Sequence, residues 1–373
     1  MIRSMKNSRV SVVAAGATLA LTATVLTIAP ATAAQGGVLE GQSFQASAGV
    51  HTSALALGKR KTKLKVKTTA DAVVVLQPAE VTGKASGSKR KVVLELKNAY
   101  GWKKVDKDKS NKKGEYALEV PTKWYGKKKM RVVVAPNRKF QGKVKKVAVK
   151  VTEGYVPAGN KKAWTRISSY KTRYNPCQTV KYAVNPSMLP ADGVAVLNEA
   201  IFRIELATGL KYKYSGATSA IPFRTTPGKE QDKKANLSVA WSSPDTDASN
   251  LAGGVLARGG FSKAQWIAKR KTYKLTKTGL LMDASDTYED RGFANGGGLG
   301  AVHMHELTHA AGLGHSNDSL QIMYPYTDPT RPALFGAGDL AGLKQSGADA
   351  GCLSGANARV VADGPELTPT SLP

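Results

Sequence analysis

Polar and apolar residues alternate along the first half of the chain. Lys63-Leu64-Lys65-Val66-Lys67 alternates strictly, and short valine-rich runs follow at 73–76, 92–96, 116–120, 130–134 and 144–151. Period-two runs of this length at hairpin-like spacing predict β-strands. Gly83, Gly87-Ser88, residues 111–114 and Asn137 supply turn chemistry between them. No helical periodicity of useful length interrupts the series. Six or seven short strands predict a small antiparallel, Ig-like β-sandwich over residues 38–154, with Trp102 and Trp124 in its core or at its rim.

The period changes in the second half. Residues 180–184 read as a strand that ends at Asn185-Pro186. In 194–207, Val196, Ala200 and Ile204 share one face with Leu197 and Ile201 beside them, which predicts a helix stopped by Gly209. Residues 237–241 and 280–282 read as strands, 292–300 as a glycine-rich loop and 339–345 as a short final helix. Gly253-Gly254-Val255-Leu256-Ala257 reads equally well as an edge strand or as a glycine-rich loop. Strand, helix, strands, helix is an α+β order. Pro157 and Gly159 make 155–163 a linker, which leaves 164–353 as a second domain and 354–373 as a disordered polar tail.

The N-terminus belongs to neither pattern. Arg3, Lys6 and Arg9 precede an uncharged apolar run over 10–28, and Ala31-Thr32-Ala33 is a small-x-small cleavage pattern. That order predicts a signal peptide over 1–34 and export. The alternative is a membrane anchor, because the run approaches spanning length. No later stretch could span a bilayer, so a secreted, extracellular chain is expected, with a monomer as the simplest state. The two cysteines, Cys177 and Cys352, are expected to form one disulfide in such a compartment; the alternative is that one is a metal-bound thiolate.

Four of the five histidines fall within thirteen positions, in "HMHELTHAAGLGH". If 302–311 is helical, His305 and His309 project from one face, one turn apart, with Glu306 beside that face. Gly312 can adopt positive φ and turn the chain so that His315 reaches the same point. Three imidazoles leave a zinc position open to water, and Glu306 is the candidate general base. His303 points away from that face and reads as a supporting or structural residue.

The motif extends to H-E-x-x-H-x-x-G-x-x-H with Met323 downstream, and this stretch resembles the metzincin zinc proteases. Within that clan, "HELTHAAGLGHS", "IMYP" and "GAGDLAGL", together with "NPCQTVKYAVNP" and "ATGL", resemble bacterial matrixin-like catalytic domains over about 160–353. The resemblance implies an α+β domain with a twisted mixed sheet and an active-site helix. It implies one catalytic Zn2+ on His305, His309 and His315, Glu306 as base, and Met323 in a turn beneath the metal. Three departures stand out. Pro325-Tyr326 follows Met323 one residue tighter than usual, and position 325 is not a tyrosine ligand. The remaining histidine, His51, lies in the other half, so a second, structural zinc has no visible ligands. Asp245, Asp247, Asp283 and Asp286 are the candidates for Ca2+, with nothing beside them to support it.

Charge alters the picture of the first half. Residues 38–160 hold 28 Lys+Arg against 9 Asp+Glu, which is most of the chain's net +28. Charged edges that stop sheets from aggregating explain part of this; an excess of one sign also attracts polyanions. The 38–154 domain is therefore expected either to tether the chain to an anionic cell-wall polymer or other polyanion, or to restrain the protease as a pro-segment. The expected activity is endopeptidase cleavage of polypeptide substrates. The competing expectation is a non-enzymatic polyanion-binding surface protein whose metal site is structural.

Overall fold

The β-period of the first half becomes eight strands in the structure, a computed structural model that describes residues 58–353. The signal peptide expected over 1–34, His51 and the tail expected over 354–373 lie outside the described residues. The strands are β1 Leu64–Thr68, β2 Ala72–Val74, β3 Glu80–Ala85, β4 Lys91–Asn98, β5 Gly101–Lys109, β6 Glu115–Glu119, β7 Gly126–Val134 and β8 Lys143–Thr152. They form a three-stranded sheet, β1-β3-β6, and a five-stranded sheet, β2-β8-β7-β4-β5. Pairing is antiparallel throughout except between β2 and β8. Both sheets turn alternate residues inward onto one core, with Val81 and Leu118 from the first and Leu94, Met130 and Val132 from the second. Each such side chain fully withdrawn from water contributes about 1.5–3 kcal/mol.

The second half continues with β9 Thr165–Arg166, β10 Thr172–Arg173, β11 Val180–Val184, α1 Gly193–Thr208, β12 Tyr212–Ala217, β13 Leu237–Ser242, β14 Ala257–Ile267, β15 Thr272–Asp283, α2 Leu299–Ala310, β16 Leu313–Gly314 and α3 Ala337–Ser346. The main sheet runs β12-β11-β13-β15, and β15 also pairs with β10 and β14. Only β14 is antiparallel. β13 is buried along its whole length, as a parallel strand covered on both faces must be. Leu197 and Ile204 of α1, Val302 and Leu307 of α2, and Val239, Leu280 and Met282 of the sheet share one core. Gly209 ends α1 at φ +69°, and its N–H returns to Glu205 O at 2.7 Å.

The β-rich part packs against the end of α1. Val75 and Val151 bury Leu206 between them, and Tyr125 N donates to Leu206 O at 2.8 Å. A Cβ on Gly209 would stand 2.9 Å from the Trp124 ring, so glycine permits this approach. Near the C-terminus, Ala99 N donates to Asp349 O (3.1 Å), and Cys177 and Cys352 form a disulfide with Cα atoms 5.4 Å apart.

The Pro/Gly stretch 155–163 is pinned along the second half. Ala337 N donates to Ala158 O (2.7 Å), Asn160 N to Asp318 Oδ2 (2.7 Å), and Ser316 Oγ to Ala163 O (2.9 Å). Continuing from it, β9 pairs antiparallel with β16, directly ahead of His315. Among the described residues no helix is long and apolar enough to cross a membrane.

Candidate metal centre

α2 starts at Gly298 in extended conformation and carries His305 and His309 one turn apart. Gly312 then turns the chain at φ +108°; a Cβ there would lie 2.0 Å from Thr172 O, so the bend and its packing both require glycine. Leu313-Gly314 pairs with Thr165-Arg166, and Thr165 Oγ1 donates to His315 O at 2.7 Å. This brings the three Nε2 atoms to 3.0 Å (His305–His309), 3.2 Å (His309–His315) and 3.2 Å (His315–His305).

The tautomers follow from the surroundings. His305 Nδ1–H donates to Ile322 O (2.7 Å) and His309 Nδ1–H to Leu313 O (2.8 Å). Burial holds the imidazoles neutral: it lowers His305 to about 4, with His315 adding to the effect, and it lowers His309 and His315 as well. With Nδ1 carrying the proton, the neutral His305 and His309 rings leave bare Nε2 lone pairs 3.0 Å apart with no proton to share. A cation relieves that repulsion. The corners of such a triangle lie about 1.8 Å from its centre, so an ion about 1 Å above the plane meets the roughly 2.0–2.1 Å of a zinc–imidazole bond. The residues fit zinc, and this triad is the group of metal-ligating side chains found among the described residues.

Glu306 is buried at 8% exposure. Burial raises its carboxyl to about 8, opposed by the Gly259 backbone N–H and by Arg258. A cation nearby would pull it back toward the ionised form. Gly259 belongs to β14, and a Cβ there would sit 2.2 Å from Glu306 O, so glycine lets the strand lie directly against α2. Among the described residues β14 pairs only with β15, and Ala257, Arg258 and Gly259 line a cleft of about 490 Å³ that holds the three histidines and Glu306. Residues 252–254 are a turn, 255–256 lead out of it, and the edge strand β14 begins at Ala257. Tyr324, Pro325 and Tyr326 line the cleft after the Met323 turn. No residue of 58–154 lines it.

Met323 is fully buried, and its carbonyl accepts Ser316 N at 2.7 Å. Sequence reasoning missed the residue that holds this turn. The Asp339 carboxylate accepts N–H from Ile322 (2.6 Å), Met323 (3.2 Å) and Gly336 (2.9 Å). Burial raises Asp339 to about 6 in spite of those three bonds. The readable signal was an acidic residue in the first turn of a helix. Thr165 was missed too, because its role depends on its pairing with Gly314 in β16, 149 residues away. His303 lies apart from the triad: its ring packs 5.7 Å from Trp241 and its Nδ1 bonds Leu299 O at 2.9 Å. Asp247 pairs with Arg224 at 2.5 Å, and Asp283 accepts from Ser285 N and Oγ (2.8 and 2.6 Å).

Residues 199–345 match the family model Peptidase_M10, the matrixins. No curated protein matches the chain. Among solved structures, a β-D-glucuronidase from Dictyoglomus thermophilum aligns at 13% identity with a TM-score of 0.15. That alignment covers 44% of this chain and only 26% of the other, and at this score it carries no argument. The matrixin match and the imidazole triad fit a matrixin-like metzincin domain, and they support a zinc metallopeptidase.

Proposed function

We propose that the chain is an exported zinc endopeptidase in which Glu306 is the general base. The carrying observation is the convergence of three Nε2 atoms 3.0–3.2 Å apart, with those of His305 and His309 left as lone pairs by their Nδ1–H bonds. Zinc bound there would polarise the scissile carbonyl and lower the pKa of water toward about 7. Glu306 then accepts the proton of the attacking water on a carboxylate oxygen and returns it to the leaving amine nitrogen. The open edge of β14 at 257–259 binds an extended peptide as an added strand, with main-chain hydrogen bonds fixing its direction. His305 and His309 are oriented by Ile322 O and Leu313 O, so little rearrangement is needed on metal binding.

Glu306→Ala is expected to retain one zinc per chain and to lose casein cleavage by orders of magnitude, and wild-type cleavage is expected to stop with a chelator. Unchanged turnover in Glu306→Ala would sink the assigned role. The competing reading is a non-catalytic binding protein with a structural zinc. That reading needs a fourth protein ligand, whereas the cluster among the described residues has three donors.

The β-rich part is proposed to attach the enzyme to an anionic polymer. Across β7 and β8, Lys127 faces Lys150 and Arg131 faces Lys146. Like charges directly opposed destabilise a sheet, so solubility alone is a poor reason for this face. Glu95, paired with Arg131 at 2.6 Å, is an acid on the same face. Changing Lys127, Lys129, Lys146 and Lys150 to Gln is expected to lower the salt needed to elute the full chain from a polyphosphate matrix. Unchanged elution would remove the tether.

A further inference from the structure

A second recess, of about 460 Å³, lies where the β-rich part meets the mixed sheet, and Gly312 and Leu313 form part of its wall. Five basic side chains line it, Arg166, Lys171, Arg173, Arg270 and Lys344, against one acid, Asp349. Asp349 is already engaged by Lys344 Nζ at 3.5 Å and by Trp124 Nε1 at 3.2 Å. Arg173 is buried at 4% exposure. Its guanidinium donates to Tyr174 O (3.2 Å), Tyr100 Oη (3.2 Å), Ala350 O (3.1 Å) and Gly351 O (2.9 Å), all of them uncharged acceptors. Arg270 lies 3.6 Å over the Tyr100 ring. Among the described residues neither arginine forms an ion pair with a carboxylate.

A buried cation with no counter-charge is costly. Arg173 feels that cost, as burial and then the nearby Arg270 weaken its hold on its proton against the help of Tyr100. Surface lysines spread for solubility do not converge on a buried guanidinium. We infer that this recess binds a tetrahedral oxyanion, a phosphate or sulfate group, held by Arg173, Arg270 and Lys171. A carboxylate would cancel one charge of an excess of four. A doubly charged tetrahedral group cancels more and presents oxygens to the Arg270 guanidinium and the Lys171 ammonium beside the buried charge of Arg173. The same chemistry comes as a free ion or as groups along a polymer. The site is distinct from the β7–β8 face and does not rest on the peptidase reading.

The test titrates the full-length chain with inorganic phosphate at fixed ionic strength, followed by calorimetry and by melting temperature. Expected are one saturable site, a rise in melting temperature, and no such response to acetate. Lys171→Ala combined with Arg270→Gln should weaken binding at least tenfold, whereas Lys112→Ala with Lys113→Ala, on an exposed turn, should leave it unchanged. Arg270→Lys should recover part of the affinity, which a misfolded recess could not do. Polyphosphate binding more tightly per phosphate than the free ion, and through the same residues, assigns the polymer as source; equal or weaker binding assigns the free ion. Non-saturable binding, equal binding of acetate, or a recess variant that binds like wild type overturns the inference.

Discussion

Replacing Gly312 with alanine tests whether the bend between the second and third histidines is a geometric requirement of the metal site. Two costs act there. The first is backbone strain at φ +108°, which is about 1–3 kcal/mol for a residue with a Cβ. The second is collision, since the new Cβ falls 2.0 Å from Thr172 O, about 1.4 Å short of ordinary contact. Gly216 separates the two: its φ is +111°, and a Cβ there meets nothing within 4 Å. Gly216→Ala should therefore show strain alone, a loss of about 1–3 kcal/mol with unchanged zinc affinity. Gly312→Ala must also displace the chain by an ångström or so. That chain carries Leu313 O, the acceptor of His309 Nδ1, and three residues on it carries His315. Zinc–ligand distances tolerate about 0.2 Å, so zinc affinity should fall at least tenfold. Chelator competition measures the affinity and denaturant titration the stability. The reasoning is refuted if Gly312→Ala matches Gly216→Ala in both.

The remaining expectations concern stability. Lys128 is fully buried, with Nζ 3.9 Å over Trp124 and bonded to Tyr125 O at 2.9 Å, and burial lowers its pKa to about 7. Between about pH 7 and 10.5 the unfolded chain binds the extra proton, so Lys128 makes stability rise with pH over that window. Lys128→Met should flatten this rise and add about 1–3 kcal/mol below pH 7; a slope that survives the change would show that another group causes it. Removing the disulfide as Cys177→Ser with Cys352→Ser opens a 175-residue separation and should cost about 5 kcal/mol in the chain-entropy account. A denaturant midpoint that hardly moves would count against that account.

Local pattern revealed the elements whose surroundings are ordinary. The α1 helix was legible because Val196, Ala200 and Ile204 face one core, and β11 because its apolar run is bounded by a turn. β14 and the first half of β15 were illegible. Lys263, Lys274 and Lys277 break the apolar signal there, and Gly259-Gly260 reads as a turn. Gly259 is in the strand because Glu306 O lies against it, a tertiary reason with no local trace. The imidazole triad was legible because helix pitch and one glycine determine its geometry. Asp339 and Thr165 were hidden because they act on segments distant in sequence. The Pro/Gly stretch 155–163 looked like a free connector, since composition does not reveal that Asp318 and Ala337 bind its backbone.

That pinned stretch sets a limit on any shorter form of the enzyme. Thr165 steadies the carbonyl of the third histidine, and Ala163 O and Asn160 N anchor the loop that follows it. A processing cut before residue 158 would leave those ties intact, while one after residue 166 would strip the outer wall from His315. The smallest working fragment therefore starts upstream of the mixed sheet, at the tail end of a region that composition alone marks as dispensable.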